Sequence, residues 1–217
     1  MWLARAALSH LDLAALRAVL GPEELSRAST AHNHEDARRY ISAHGAARFI
    51  LGRYLRIAPQ DVRWELGPQG KPAIRGAEFS LSHSGEFSLT AISARRPVGV
   101  DIQEIVAGLE VTALAQRFFP EPEAAEVIAA TDPDLVFARL WTRKEAVIKA
   151  QGGRLMSGLR IPVQGKGSEV TGHPPALPCR VTDLPAPAGF QAAVALAGPE
   201  PYTVKVLEWS PIRTVER

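Results

Sequence analysis

The sequence predicts an α+β protein of two similar lobes, each a helix packed on a small, mainly antiparallel sheet. Three observations predict it. A long helical stretch is followed by short strand-like segments, the same order recurs in the second half, and turn residues divide the strands. The lobes are placed at residues 1–100 and 101–217; they share no obvious sequence identity, so the repeat concerns topology only.

In the first half, Tyr40, Ile41, Ala47, Leu51, Tyr54 and Leu55 recur at helical spacing with arginines between them, which gives a helix over 35–55. Strands follow at 61–66, 78–82, 87–93 and 98–102. Phe87, Leu89 and Ala91 alternate with Ser88 and Thr90, the period of a half-buried strand. Ser84-Gly85 and Arg95-Arg96-Pro97 supply the turns of a meander. In the second half a helix is expected over 111–119 and a stronger one over 133–150, with Asp132 as N-cap, Pro133 at the first helical position and Gly152-Gly153 at the exit. Strands are expected at 159–163, 191–197 and 202–209, and the Pro- and Gly-rich stretch 164–190 reads as loops around at most one short strand.

Composition narrows the class. The chain has 217 residues, 46% hydrophobic and 22% charged, with 25 Lys+Arg against 23 Asp+Glu, a net charge of +2. That balance excludes an electrostatic nucleic-acid coat, and no aromatic–basic interleaving suggests one. Twenty of the basic residues are Arg; the five lysines are Lys71, Lys144, Lys149, Lys166 and Lys205. Residues 1–100 carry a net +4 and residues 101–217 a net −2, which fits either statistical scatter or a polyanionic ligand held by the first half and a metal or cationic group by the second. A single cysteine, Cys179, cannot make an intrachain disulfide. Arg5, His10 and Asp12 interrupt the apolar N-terminus, and no apolar run reaches the roughly 18 residues of a membrane span, so the expectation is a soluble cytoplasmic protein.

Four segments ask for chemistry. In Phe79-Ser80-Leu81-Ser82-His83-Ser84-Gly85 a strand ends in a turn that sets a histidine between two hydroxyls. Those groups suit phosphate oxygens, although the segment taken alone favours a turn histidine without a role. In Val98-Gly99-Val100-Asp101-Ile102-Gln103, alternation puts Asp101 and Gln103 on one face. A carboxylate in a buried strand needs a metal ion, an arginine or a strand-end hydrogen bond. In Trp141-Thr142-Arg143-Lys144-Glu145-Ala146-Val147-Ile148-Lys149, Trp141, Glu145 and Lys149 share one helix face with Phe137. Glu before Lys at i, i+4 is also an ordinary surface pair worth roughly 0.2–0.5 kcal/mol; on an apolar stripe it looks more like a site. Gly70-Lys71-Pro72 places a lone lysine in a rigid turn, able to reach a phosphate.

In this order and at these separations, the four segments resemble the signature of the Sfp-type 4'-phosphopantetheinyl transferases, with supporting likeness at Glu35–Arg39, Arg48 and Arg117-Phe118-Phe119. The resemblance runs from about Arg27 to Gly153, and beyond it only the pattern matches. It implies two pseudo-symmetric lobes with coenzyme A and Mg²⁺ in the cleft between them. The implied reaction moves the phosphopantetheine arm to a serine of an apo acyl or peptidyl carrier protein and releases adenosine 3',5'-bisphosphate.

By position, the resemblance makes Asp101 and Glu145 the metal carboxylates, Glu145 also the base for the carrier serine, and Lys149 the group that stabilises charge on the diphosphate and departing nucleotide. Ser82 and His83 match diphosphate contacts; Lys71, with Arg27, Arg39 or Arg48, is expected to hold the 3'-phosphate and adenine end. Many members have Glu where this chain has Gln103, so a two-carboxylate site is expected, with Gln103 or a water at the third position. Lys144 points off the Trp141–Glu145 face and is read as structural; the segment from about Val106 to Phe119, with Arg117, is the expected carrier-docking surface. Two lobes in one chain argue for a monomer. The competing reading is an inert coenzyme A-binding module, against which the joint presence of Asp101, Glu145 and Lys149 argues.

Overall fold

The computed structural model describes residues 1–7, 9–67, 70–153, 158–165, 169–170 and 178–211, and the fold is α+β, as expected. In chain order the elements are β1 (Trp2–Arg5), α1 (His10–Ala18), α2 (Pro22–Ser29), α3 (His34–Leu55), β2 (Glu65–Leu66), β3 (Pro72–Ala73), β4 (Glu78–Ser84), β5 (Phe87–Ser93) and β6 (Val98–Glu104). There follow α4 (Val111–Phe118), α5 (Glu121–Ala129), α6 (Pro133–Gln151), β7 (Glu169–Val170), β8 (Cys179–Asp183), β9 (Phe190–Ala197) and β10 (Leu207–Trp209). One four-stranded sheet has the order β10-β1-β5-β4, with β1 parallel to β10 and antiparallel to β5. The other has the order β6-β9-β8-β7 and is antiparallel throughout; β2 and β3 form a separate pair. Among the described residues no helix is long and apolar enough to cross a membrane.

The chain forms two compact units: Met1–Arg63 with His83–Thr90 and the residues from Val204 on, and Trp64–Ser82 with Ala91–Thr203. In the first, α1 and α2 cover α3 around Leu16, Leu20, Ala28 and Ile41. Gly45 makes this possible, since a Cβ there would come within 2.7 Å of the Leu16 Cβ. The start of α3 is set by Asn33, whose side chain accepts from the Asp36 N–H. Glu24 of α2 is buried; it caps its own helix at Gly21 N and accepts 2.7 Å from Arg48 Nε, with the His44 ring 3.0 Å away. Burial pushes its carboxyl up, but the bonds from His44, Arg48 and Gly21 outweigh this and hold it below the usual range.

In the second unit α6 lies on β6, β9 and β8 over a core that includes Phe119, Leu140, Val147, Val181, Ala193 and Ala195. The helix begins as the sequence predicts, with Asp132 accepting from Leu135 N and Pro133 in the first turn; it ends at Gly152, which is left-handed at φ 68°. Its distance from β6 is fixed by Gly99: a Cβ there would sit 1.9 Å from the Ala146 carbonyl oxygen and 2.4 Å from Ala150 N. Both obstacles are helix backbone and cannot rotate aside. The strand and helix therefore touch main chain to side-chain-free main chain.

Several expected elements differ. Residues 61–66 are not one strand: Pro59–Asp61 is a 3-10 turn and only Glu65–Leu66 is extended, because Arg48 holds the segment through the Pro59 and Val62 carbonyls. The stretch 159–163 buries Leu159, Ile161 and Val163 with strand-like alternation but joins no sheet. Its carbonyls at Ile161 and Val163 accept from Lys144 and Arg143 instead. Strand 202–209 shrinks to β10, and the expected loop region holds two strands, β7 and β8. The meander stops at β5, since β6 pairs with β9 in the other sheet. His83 and Ser84 lie in β4 itself, the turn falling at Gly85-Glu86. The elements β1, α1, α2 and α5 were not anticipated; Ser9 capping Asp12 N and Gly21-Pro22-Glu23-Glu24 were the available signals for α1 and α2.

Replacing Gly99 by Ala forces α6 off β6. The expected cost is about 3 kcal/mol, at the upper end for overpacking, read as a drop in urea midpoint at unchanged slope. A loss under about 0.5 kcal/mol, the scale of ordinary surface changes, would show that the close approach is not required.

Candidate active site

Strand alternation along β4 puts Ser80 and Ser82 on one face and Leu81 and His83 on the other. Both hydroxyls reach β6: Ser80 Oγ accepts from Val100 N at 3.1 Å, and Ser82 Oγ donates to Asp101 Oδ1 at 2.7 Å. From α6, Lys149 Nζ donates to the same Oδ1 at 2.6 Å and to Ser82 Oγ at 3.0 Å. Asp101 is only 4% exposed, and its Oδ2 is buried without a hydrogen-bond partner among the described residues. The sequence offered Asp101 a metal ion, an arginine or a strand-end hydrogen bond; the structure shows a lysine and a serine on Oδ1.

Glu145 lies one helical turn before Lys149. Burial raises its carboxyl above the ordinary range; Lys149 opposes the rise and the charge of Asp101 adds to it. Between Leu140 and Ala150 the half-open positions are Trp141, Glu145 and Lys149, while every other residue is buried. The face shared by these three is thus the opening of an otherwise enclosed stretch of the helix. Its buried neighbours are structural. Arg143 forks onto Asp183 with two 2.6 Å bonds and also donates to the Val163 and Gly165 carbonyls. Lys144, 0% exposed, donates to the Ile161 carbonyl at 2.6 Å and pairs with buried Glu123 at 2.5 Å, as its direction off the Glu145 face led one to expect.

Lys71 reaches the end of α6, where Nζ donates to the Ala150 carbonyl at 3.3 Å and lies 3.9 Å from Glu78. Burial lowers its ammonium, with Glu78 opposing. Lys71 and Lys149 line one cavity of about 200 Å³ with Ser80, Gly152 and Gly153. Two ammonium groups beside glycine backbone suit an anion of several oxygens.

The remaining candidates are placed differently. Gln103 is half-exposed, donates to the Glu104 carbonyl at 3.2 Å, and lines an apolar groove of about 260 Å³ with Val106, Leu109, Phe118, Phe137 and Trp141. His83 stands edge-on to the stacked rings of Tyr40 and His44, at 6.3 and 6.4 Å, and Arg27 lies 6.0 Å over Tyr40. The sequence marks Tyr40 only as a helix position and does not single out His44, although the two stand at i, i+4 on the same helix as the arginines. Arg39 pairs with Glu86 at 3.0 Å. Arg48 is buried and pairs with Glu24 at 2.6 Å, so its guanidinium holds the fold where the sequence suggested a ligand contact. Among the described residues no group of three His, Cys, Asp or Glu side chains is arranged to hold a metal ion.

The sequence model of the 4'-phosphopantetheinyl transferase superfamily matches residues 97–186, which include β6 and α6. The 4'-phosphopantetheinyl transferase HetI of Nostoc sp. is 31% identical over 191 residues, 84% of this chain and 81% of its own length. The chain belongs to this family. The Sfp transferase of Bacillus subtilis is 27% identical over 195 residues, 83% of this chain and 84% of its own. AcpT of Salmonella typhimurium is 38% identical over 113 residues, covering 50% of this chain and 57% of the relative. The residues matched by the superfamily model include Asp101, Glu145 and Lys149.

The raised Glu145 carboxyl has a stability consequence. A carboxyl whose folded pKa lies above its unfolded value costs stability once the pH exceeds the ordinary value of 4.5 and the fold must hold its charge. In metal-free buffer near neutrality, Glu145→Gln should therefore raise Tm. The gain should vanish as the pH falls below that of the free side chain. A lower Tm for the variant at neutral pH would contradict this placement.

Proposed function

We propose that the chain transfers the 4'-phosphopantetheine arm of coenzyme A to a serine hydroxyl of an apo acyl or peptidyl carrier protein, with adenosine 3',5'-bisphosphate as the other product. The observation that carries the reading is the buried carboxylate of Asp101, tied to Ser82 and Lys149 and electrostatically coupled to Glu145 at the open face of α6. An inert coenzyme A-binding module has no use for a buried carboxylate beside a second, Glu145, whose charge is held at a cost to stability.

The reaction needs charge neutralised at a diphosphate and a proton taken from the attacking hydroxyl. Glu145 accepts that proton; burial makes it a stronger base than a solvated carboxylate. The serine oxygen forms the new bond to phosphorus as the bond to the departing bisphosphate breaks. Lys149 and Lys71, lining one cavity, receive the diphosphate charge, so Lys71 is assigned there in place of the 3'-phosphate end. Ser82 and His83, which face opposite sides of β4, are assigned to the diphosphate on the family resemblance alone. Arg27, with its exposed guanidinium, and Arg39 are assigned to the 3'-phosphate and adenine end, whereas Arg48 serves by fixing Glu24.

The residues fit a divalent cation. Asp101 Oδ2 is a buried, anionic oxygen without a donor among the described residues, and Glu145 supplies a second carboxylate. Mg²⁺ accepts one or two such ligands and fills its octahedron with waters and substrate phosphates. When bound there it would supply neutralising charge at the diphosphate. Asp101 and Glu145 would hold it, with Gln103 or a water at the third position.

The apolar groove beside Trp141 is the proposed carrier-docking region. Val106 and Leu109 are 47% and 50% exposed there, and Arg117 flanks it on α4 with its guanidinium over Phe118. An acidic carrier would be steered by such an arginine. The chain is proposed to act as a cytoplasmic monomer.

Incubation with coenzyme A, Mg²⁺ and a panel of apo carriers should give a phosphopantetheine adduct by intact mass; coenzyme A binding with no adduct on any carrier would favour the inert module. Glu145→Gln should lower transfer by about 10²-fold or more, the contribution of a positioned base, while coenzyme A still binds. Gln103→Glu should lower the Mg²⁺ concentration needed for half-maximal rate; an unchanged dependence would remove Gln103 from the metal.

A further inference from the structure

We propose that Lys149 is a resident countercharge on Asp101 which makes divalent-cation binding conditional on an anion that draws the lysine away. Asp101 and Glu145 are taken as the cation-holding pair of the reading above, on which this role depends.

The two oxygens of Asp101 are unequal. Oδ1 accepts from both Lys149 Nζ, at 2.6 Å, and Ser82 Oγ, at 2.7 Å, and Lys149 closes the triangle with its 3.0 Å bond to Ser82 Oγ. Oδ2 is buried with no donor among the described residues. A cation at Oδ2 would thus face an ammonium across a single carboxylate, in a site where water screens little. While Lys149 stays, half of the charge that a cation needs is already spent.

Lys149 also has somewhere to go. Its side chain is 29% exposed, hangs on a flexible four-carbon stem, and lines the cavity of about 200 Å³ that Lys71 shares. An anion seated beside Lys71 competes with Asp101 for the ammonium. Once Lys149 turns to the anion, the whole Asp101 carboxylate is released to a cation. Ser82 remains as a neutral donor on Oδ1, so the carboxylate keeps its orientation. Anion and cation then favour each other's binding by the same factor, as linkage requires. Lys149 is in this respect a positioning residue in addition to its role toward phosphate.

The test is titration of the full chain with Mn²⁺ alone at neutral pH, free metal being read by electron paramagnetic resonance. Lys149→Met keeps the stem and removes the charge; it should bind Mn²⁺ about tenfold or more tightly than the natural chain, within the range of ordinary site couplings. Lys149→Arg, which keeps the charge, should bind Mn²⁺ no more tightly than the natural chain, and Asp101→Asn added to Lys149→Met should abolish the gain. Equal or weaker Mn²⁺ binding by folded Lys149→Met overturns the role; Lys149→Gln makes the same comparison if circular dichroism shows that the Met variant does not fold. A metal-dependent transfer by the natural chain with no gain in Lys149→Met removes the countercharge alone. No transfer by the natural chain, together with no Mn²⁺ binding by any variant, overturns the reading of Asp101 and Glu145 as well.

Discussion

The site depends on an absent side chain. With no Cβ on Gly99, the backbone of α6 can settle on β6 closely enough that Ala146 O and Ala150 N occupy the space a methyl group would need. Asp101 is two residues further along the strand, and Glu145 and Lys149 flank the same stretch of helix. At this separation Lys149 Nζ lies 2.6 Å from Asp101 Oδ1, and the charge of Asp101 is felt at Glu145. Residues of ordinary size at this position would have spaced the helix by a side-chain layer and left a lysine, whose stem could extend, but no carboxylate of Glu145 within electrostatic reach of Asp101.

Around that contact the helix divides its labour by position. Arg143 and Lys144 turn away from the opening and take the carbonyls of the 161–165 segment, with Asp183 and Glu123 as their counterions. Buried ion pairs of this kind are weak sources of net stability but costly to break singly. Their effect is to fix the rotation of α6 about its axis, and so to aim Trp141, Glu145 and Lys149 the other way. The charged run that reads as one motif is therefore two sets of residues with opposite tasks, interleaved at the helical period.

Local signals were legible in the sequence and long-range ones were not. The ends of α6 could be read because Asp132 and Gly152 satisfy its terminal groups within a few residues. Asp101 could be read as a carboxylate in need of a partner, yet three kinds of partner remained, since Ser82 and Lys149 reach it from distant parts of the chain. The segment 159–163 imitates a strand because its alternate residues are buried, but the donors that satisfy its carbonyls are side chains of α6, which alternation cannot reveal. Strand β8 was hidden among Pro and Gly because its place is decided by pairing with β9. Arg48 is a related case: an arginine on a helix shows its charge in the sequence, and only the fold supplies Glu24 beneath it.

The choice between lysine and arginine follows the same division. In a chain with twenty arginines and five lysines, each lysine departs from the prevailing choice. Arg143 has four bonds to make in fixed directions, two to a carboxylate and two to carbonyls, which a rigid planar fork provides. Lys144 occupies a fully enclosed position beside the Phe119 ring, where one carbonyl and one carboxylate leave room for a compact ammonium. Lys149 is the opposite case, a point charge on a long stem at an open face. A fork there would bind Asp101 with both arms and hold it; a single ammonium can be exchanged between a carboxylate and a phosphate with one change of rotamer. Mobility of charge is what the open face of α6 needs, and it is the property that arginine supplies least.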